Sequence, residues 1–146
     1  MIPGSVTEIR VRYAETDQMG RAHHMAYVAW FELGRTEMMR QNGLSYAGME
    51  RRGILLPVVR LEVDYLKGLE YEEVVDVHTS IAEVRSRRVV FDYRLVRRDD
   101  AVLIAEATSV LLSMDRAGRP CRLPEDVRAA LAGLVRTPGG TGGDAA

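Results

Sequence analysis

The sequence predicts an α+β domain in which one curved antiparallel sheet covers one long helix. Three observations predict it: a strand-period segment runs straight into a helical one, four further strand-period segments follow with only short polar turns between them, and 146 residues suffice for one core but not two.

The first strand is expected at Glu8–Tyr13, where Ile9, Val11 and Tyr13 alternate with Arg10 and Arg12. Ala14 to Ala26 then mixes Glu15, Thr16, Asp17, Gly20, His23 and His24 with few periodic apolar residues and reads as a loop. Tyr27, Trp30, Phe31, Gly34 and Met38 recur at helical spacing, and Gly43 is suited to end that helix. A glycine at position 34 costs about 1 kcal/mol relative to alanine inside a helix, so another backbone or a ligand is expected to approach there. The second strand is expected over 59–65, with Val59, Leu61, Val63 and Tyr65 on one side. Val75 to Ile81 and Val89 to Leu95 continue the same period on either side of Arg85-Ser86-Arg87-Arg88, as strands three and four. Ala101 to Met114 is apolar or small on both faces except at Glu106, which predicts a fifth, central strand covered on both sides. Leu123-Pro124-Glu125-Asp126 opens a short last helix.

Residues 1–135 are expected to form the single domain, and 136–146 a flexible tail, since four glycines among Pro138–Ala146 leave little to bury. Four strands joined by hairpins leave an edge unpaired, which a second copy can satisfy by continuing the sheet. A homodimer or homotetramer is therefore expected.

Charge and composition exclude several function classes. Twenty basic and 21 acidic residues give a net charge of −1, which offers no general attraction for nucleic acid or an anionic membrane. Cys121 is the only cysteine, the N-terminus lacks a basic start before an apolar stretch, and no apolar run approaches the roughly 18 residues of a membrane span. A cytoplasmic protein without membrane insertion is the expectation.

The segment Tyr13-Ala14-Glu15-Thr16-Asp17-Gln18-Met19-Gly20-Arg21-Ala22-His23-His24-Met25-Ala26-Tyr27 resembles the 4-hydroxybenzoyl-CoA thioesterase-like family of hotdog proteins, which includes the thioesterases linked to the Tol-Pal system. Tyr13, Thr16, Asp17, Gly20, His24 and Tyr27 match that family's pattern, with Glu15 in place of the commoner Asp. The likeness extends to Gly53, the basic turn near Arg85 and Arg122-Leu123-Pro124, and so covers about residues 6 to 131. Gly68-Leu69 departs from the Pro-Ala often found after the second strand.

The resemblance implies a hotdog fold and hydrolysis of an acyl-coenzyme A thioester, with no cofactor beyond the coenzyme A of the substrate. It implies that Asp17 is the catalytic carboxylate, acting as nucleophile or as the base that activates water. It further implies that the backbone N–H of His24 holds the oxyanion and that Tyr27 opens the central helix beside the site. Arg85, Ser86, Arg87 and Arg88 match the turn where the nucleotide end of coenzyme A docks, often at a subunit interface. The chemistry is reasonable on physical grounds, because free N–H groups at a helix start attract developing negative charge, and forked guanidinium donors suit phosphates.

Each residue also has a structural reading. An Asp before a helix commonly serves as a cap or turn acceptor, Glu15 is either an orienting acid or a solvated one, and the arginine turn is either a docking site or a solvated hairpin. His23 and His24 beside two acids suggest a metal site only weakly, since adjacent histidines seldom converge on one ion; no metal is expected. Met19, Met25, Met38, Met39 and Met49 are adaptable acyl-pocket residues or, more simply, core filling. Two rival functions share the fold. An acyl-CoA hydratase or dehydratase pairs a catalytic Asp with a His about five residues later, whereas here the spacings are six and seven. A non-catalytic acyl-CoA-binding domain would have no need to keep Asp17.

Overall fold

The computed structural model describes residues 4–136. Strand β1 (Gly4–Arg10) leads through a 3₁₀ turn (Tyr13–Glu15) into α1 (His24–Gln41) and the short α2 (Tyr46–Arg51). Strands β2 (Val58–Tyr65), β3 (Val74–Val84), β4 (Arg88–Arg97) and β5 (Leu103–Leu112) follow, and α3 (Glu125–Ala132) ends the described chain. The sheet has the order β1-β3-β4-β5-β2 with every pairing antiparallel. Hairpins make β3, β4 and β5 neighbours, while β1 and β2 return to opposite edges.

The sheet's inner face wraps α1 as the periodicity predicts. Tyr27, Trp30, Phe31, Gly34 and Met38 are buried, joined by Arg35 and Met39. They pack on the alternate residues of β3 and β4 that the pattern assigns inward, including Val77, Ile81, Phe91 and Tyr93, and the Phe31 and Tyr93 rings lie 5.0 Å apart. The approach expected at Gly34 comes from β3 side chains: a Cβ there would lie 2.5 Å from Thr79 Oγ1 and 2.8 Å from Val77 Cγ1. Arg35 is a buried cation without a carboxylate partner among the described residues. It donates from Nε to the Tyr46 hydroxyl at 2.9 Å and from Nη1 to the Tyr93 hydroxyl at 3.0 Å, and the latter meets Ser109 at 2.7 Å.

Four expectations are corrected. β1 ends at Arg10 rather than Tyr13, because Val11 leaves the strand to exchange hydrogen bonds with Glu72 and Glu73, and Tyr13 turns outward to meet Tyr71 edge-on. α1 starts at His24 rather than Tyr27, because His23 caps it: the His23 Nδ1 accepts the Met25 N–H at 3.1 Å. β4, not β5, is central. The outer face of β5 is only partly covered within one chain, with Glu106 exposed and Thr108, Val110 and Leu112 half-buried. The expected tail lies, apart from Arg136, outside the described residues.

Candidate active site

The loop between β1 and α1 is built almost wholly from backbone hydrogen bonds. Asp17 N–H donates to the Arg21 carbonyl at 2.7 Å and Gly20 N–H to the Asp17 carbonyl at 3.0 Å, a tight turn that needs the left-handed φ of +77° at Gly20. Ala22 N–H then donates to Leu69 O and His23 N–H to Glu15 O, both at 2.7 Å. These two bonds tie the loop to the segment after β2 and to the 3₁₀ turn, so the start of α1 is fixed on both sides.

Glu15 is a strut. Its carboxylate accepts the Arg12 N–H at 2.8 Å and the indole N–H of buried Trp30 at 2.9 Å. Burial alone raises its pKa, but the donors from the Arg12 backbone, the Trp30 indole and the Arg12 guanidinium outweigh it and hold the group below its ordinary value. Neither sequence reading of Glu15, as an orienting acid for Asp17 or as a solvated one, describes this arrangement.

Asp17 has the turn-acceptor role of its structural reading. Its Oδ1 accepts the N–H groups of Met19 at 2.8 Å and Arg21 at 3.3 Å, closing its own turn. Its other carboxylate oxygen accepts no hydrogen bond among the described residues. In the first turn of α1, Met25 N–H is taken by His23 Nδ1 and Ala26 N–H by His23 O at 2.9 Å. The His24 N–H has no acceptor among the described residues, so one donor of the positive helix end is left open.

Asp17, His24 and Tyr27 line one open cleft of about 390 Å³. Tyr27 is a wall: its ring stands 5.0 Å from Tyr65 and 5.1 Å from Trp30, and burial, with Tyr65 alongside, pushes its phenol pKa upward. His24 presents its imidazole edge-on to Tyr65, and the Tyr65 hydroxyl donates to the His24 carbonyl at 3.0 Å. The histidine pair holds no metal-like arrangement: no cluster of three potential ligands occurs among the described residues.

Sequence reasoning missed half of this cleft. Tyr65, Leu66, Lys67 and Gly68 complete it from the end of β2, and Arg21 from the loop. Gly68, the departure from the family pattern, leaves the space over which the Arg21 guanidinium lies. The available signal was the adjacent pair Tyr65-Leu66, which breaks strand alternation where β2 ends.

The arginine turn is not brought to this cleft within one chain. Tyr65 pairs with Ala105 and Arg88 with Leu112, seven residues further along β5, or roughly 23 Å along the strand. Arg85 and Arg88 both pair with Glu83, at 2.8 and 2.9 Å. The exposed Arg87 side chain has no partner among the described residues, and Ser86 contributes its carbonyl to Leu123 N–H.

With this geometry established, comparison with known proteins identifies the family. Residues 11–131 match the model of the thioesterase-like superfamily. The chain belongs to that superfamily. A putative acyl-CoA thioesterase of Bacillus subtilis, YneP, is 40% identical over 112 residues, 77% of this chain and 80% of that protein. The acyl-CoA thioester hydrolase YbgC of Escherichia coli O157:H7 is 29% identical, over 82% of this chain and 89% of that protein. Among solved structures, the DHNA-CoA thioesterase of Staphylococcus aureus superposes with a TM-score of 0.86 at 36% identity, covering 92% of this chain and 91% of that one. The curved antiparallel sheet around α1 is thus the hotdog fold of thioesterases. No helix among the described residues is long and apolar enough to cross a membrane.

Proposed function

We propose that this chain is an acyl-CoA thioesterase, hydrolysing the thioester to a carboxylic acid and coenzyme A in the cleft between Asp17 and the start of α1. The observation that carries this reading is the pairing of a free carboxylate oxygen on Asp17 with the acceptor-free N–H of His24, both lining one cleft. Asp17 either adds to the carbonyl carbon itself or takes a proton from the water that does. In both routes the carbonyl oxygen becomes an oxyanion, which the His24 N–H and the helix dipole stabilise. Collapse of the adduct breaks the C–S bond, and the thiolate leaves and takes up a proton. Tyr65 holds the first turn in place through the His24 carbonyl. No cofactor or metal has a role in this scheme.

A second copy completes the site. β2 is an unpaired edge eight residues long that exposes Val58, Val59 and Tyr65, and it ends at the cleft. Pairing β2 with its counterpart extends the sheet and brings the other chain's Arg85–Arg88 turn within the reach that a coenzyme A tail needs, which the chain's own turn lacks. Arg87, the arginine of that turn without a partner among the described residues, is the main phosphate donor there. The hydratase reading has less behind it, because the histidines stand six and seven residues after Asp17 rather than five, and His23 Nδ1 is taken by the Met25 N–H. Thiol release from aromatic and aliphatic acyl-CoA esters tests the proposal, and absence of hydrolysis for every ester would contradict it.

A further inference from the structure

Two cations stand in the candidate cleft beside the carboxylate that the proposed reaction uses. Arg21 and Lys67 line it together with Asp17 and His24, and Asp17 is the only acid among the lining residues. Neither the Arg21 guanidinium nor the Lys67 ammonium donates to an acceptor among the described residues, Asp17 included. The backbone of Arg21 is nevertheless fixed. Its carbonyl accepts the Asp17 N–H at 2.7 Å, its N–H donates to Asp17 Oδ1 at 3.3 Å, and it bridges to Glu70 after β2.

The guanidinium lies against Gly68. A Cβ at that position would stand 2.4 Å from Arg21 Nη1, 3.1 Å from Cδ and 3.4 Å from Cζ. Gly68 is not among the glycines at left-handed φ, so the backbone conformation does not call for glycine there. What the missing side chain provides is room for Arg21. The Tyr27 phenol, whose pKa burial and then Tyr65 raise, feels the Arg21 charge in the opposite sense, so the field of this cation reaches the cleft wall. A ligand that fills the cleft strips water from both cations, which is costly unless the ligand brings an acceptor. The phosphates of a coenzyme A ester are separated from its sulfur by the whole pantetheine arm. An anion that meets Arg21 while the thioester carbonyl meets Asp17 and the His24 N–H therefore belongs to the acyl group.

We propose, resting on the thioesterase reading of this cleft, that Arg21, seated on Gly68 and supported by Lys67, selects acyl groups that end in a carboxylate. The substrate class is then the coenzyme A half-thioester of a short dicarboxylic acid. A carboxylate matches the guanidinium fork with two parallel N–H···O bonds. Lys67 adds a second positive charge, which offsets the repulsion between Asp17 and an anionic acyl group. An apolar acyl group of the same length covers both cations and leaves their donors without an acceptor, so it is disfavoured.

The test reads binding and not turnover. S-(ω-carboxybutyl)-coenzyme A and S-pentyl-coenzyme A are unreactive thioethers of equal length that differ in carboxylate against methyl, and calorimetric titration of the full-length chain gives a Kd for each. Wild type is expected to bind the carboxylate ligand about tenfold more tightly. Arg21→Gln removes the charge and the fork and breaks no side-chain hydrogen bond among the described residues; it is expected to abolish the preference by weakening that ligand alone. Gly68→Ala keeps both cations but crowds the guanidinium off its seat, and is expected to reduce the preference severalfold. Equal binding of the two ligands by wild type, binding of neither, or a preference that survives in Arg21→Gln or is undiminished in Gly68→Ala overturns the proposal. So does an equal loss for both ligands in Arg21→Gln, the result expected if Arg21 grips a coenzyme A phosphate instead. Wild type that prefers the carboxylate ligand yet releases thiol from no ester, glutaryl-coenzyme A included, contradicts the thioesterase reading and leaves the selection of acidic acyl groups standing.

Discussion

Replacing Glu15 by Gln preserves the shape of the strut beneath the candidate site while changing what it can accept. The two carboxylate oxygens serve three donors, Oε1 the Arg12 N–H, and Oε2 the Trp30 indole and, at 3.4 Å, the exposed Arg12 guanidinium. An amide offers one acceptor and presents its NH₂ to the other donor. The lowest-cost arrangement gives the oxygen to Trp30, which is only 1% exposed, and leaves the exposed Arg12 N–H to water. The loss is then one hydrogen bond at the surface plus the charge assistance of the buried one, about 1–2 kcal/mol. Glu15→Ala strands the indole N–H and costs about 3 kcal/mol. In a chain of this length these losses correspond to a few degrees of Tm per kcal/mol.

The effect depends on pH with a definite sign. Because folding depresses the Glu15 pKa, the carboxylate's contribution is complete above its ordinary value of 4.5 and fades as pH falls through the lower folded value. Wild type and Glu15→Gln are therefore expected to differ most at neutral pH and to converge in acid. Trp30 is the only tryptophan, so its emission during urea unfolding reports the contact itself. A Glu15→Gln protein as stable as wild type at pH 7, or a gap that widens on acidification, would refute the strut.

Gly34→Ala gains about 1 kcal/mol of helix propensity, yet its Cβ meets Thr79 and Val77, both β-branched and buried; a net loss of about 1–2 kcal/mol in urea unfolding is expected. Tyr65→Phe removes the hydrogen bond to the His24 carbonyl and keeps the ring; kcat is expected to fall about tenfold with KM little changed, as steady-state kinetics would show. Arg87→Ala is expected to raise KM for coenzyme A esters more than for thioesters lacking the nucleotide, and by more than Arg85→Ala or Arg88→Ala, since Glu83 already engages those two. Equal effects on both kinds of substrate would remove the docking role.

The helix and the three hairpin strands are legible in the sequence because each has one face on a single core, so their periods survive intact. Chain ends of elements are less legible: Val11 and Tyr13 keep the alternation of β1 although the backbone has already left it for Glu72 and Glu73. The capping role of His23 is equally hidden, since an imidazole is not among the usual helix caps. Hairpins make β3, β4 and β5 neighbours, but nothing in the period says which edges β1 and β2 join. The same gap explains the site. Asp17, His24 and Tyr27 lie in one contiguous motif and are found from it, whereas Tyr65 and Lys67 arrive from the far end of β2, a contact that only strand order and register create. The arginine turn shows the converse, since its composition suits phosphate while strand register puts it at the other end of the sheet from the cleft.

The central claim is that the free carboxylate oxygen of Asp17 does the chemistry. Asp17→Asn keeps an oxygen to accept the Met19 and Arg21 N–H groups, so the turn is preserved while the negative charge is lost. The decisive measurement is thiol release from an acyl-CoA ester that wild type hydrolyses, compared with Asp17→Asn at matched fold by circular dichroism. A fall in kcat of about 10²-fold or more is the predicted result; turnover close to wild type would contradict it.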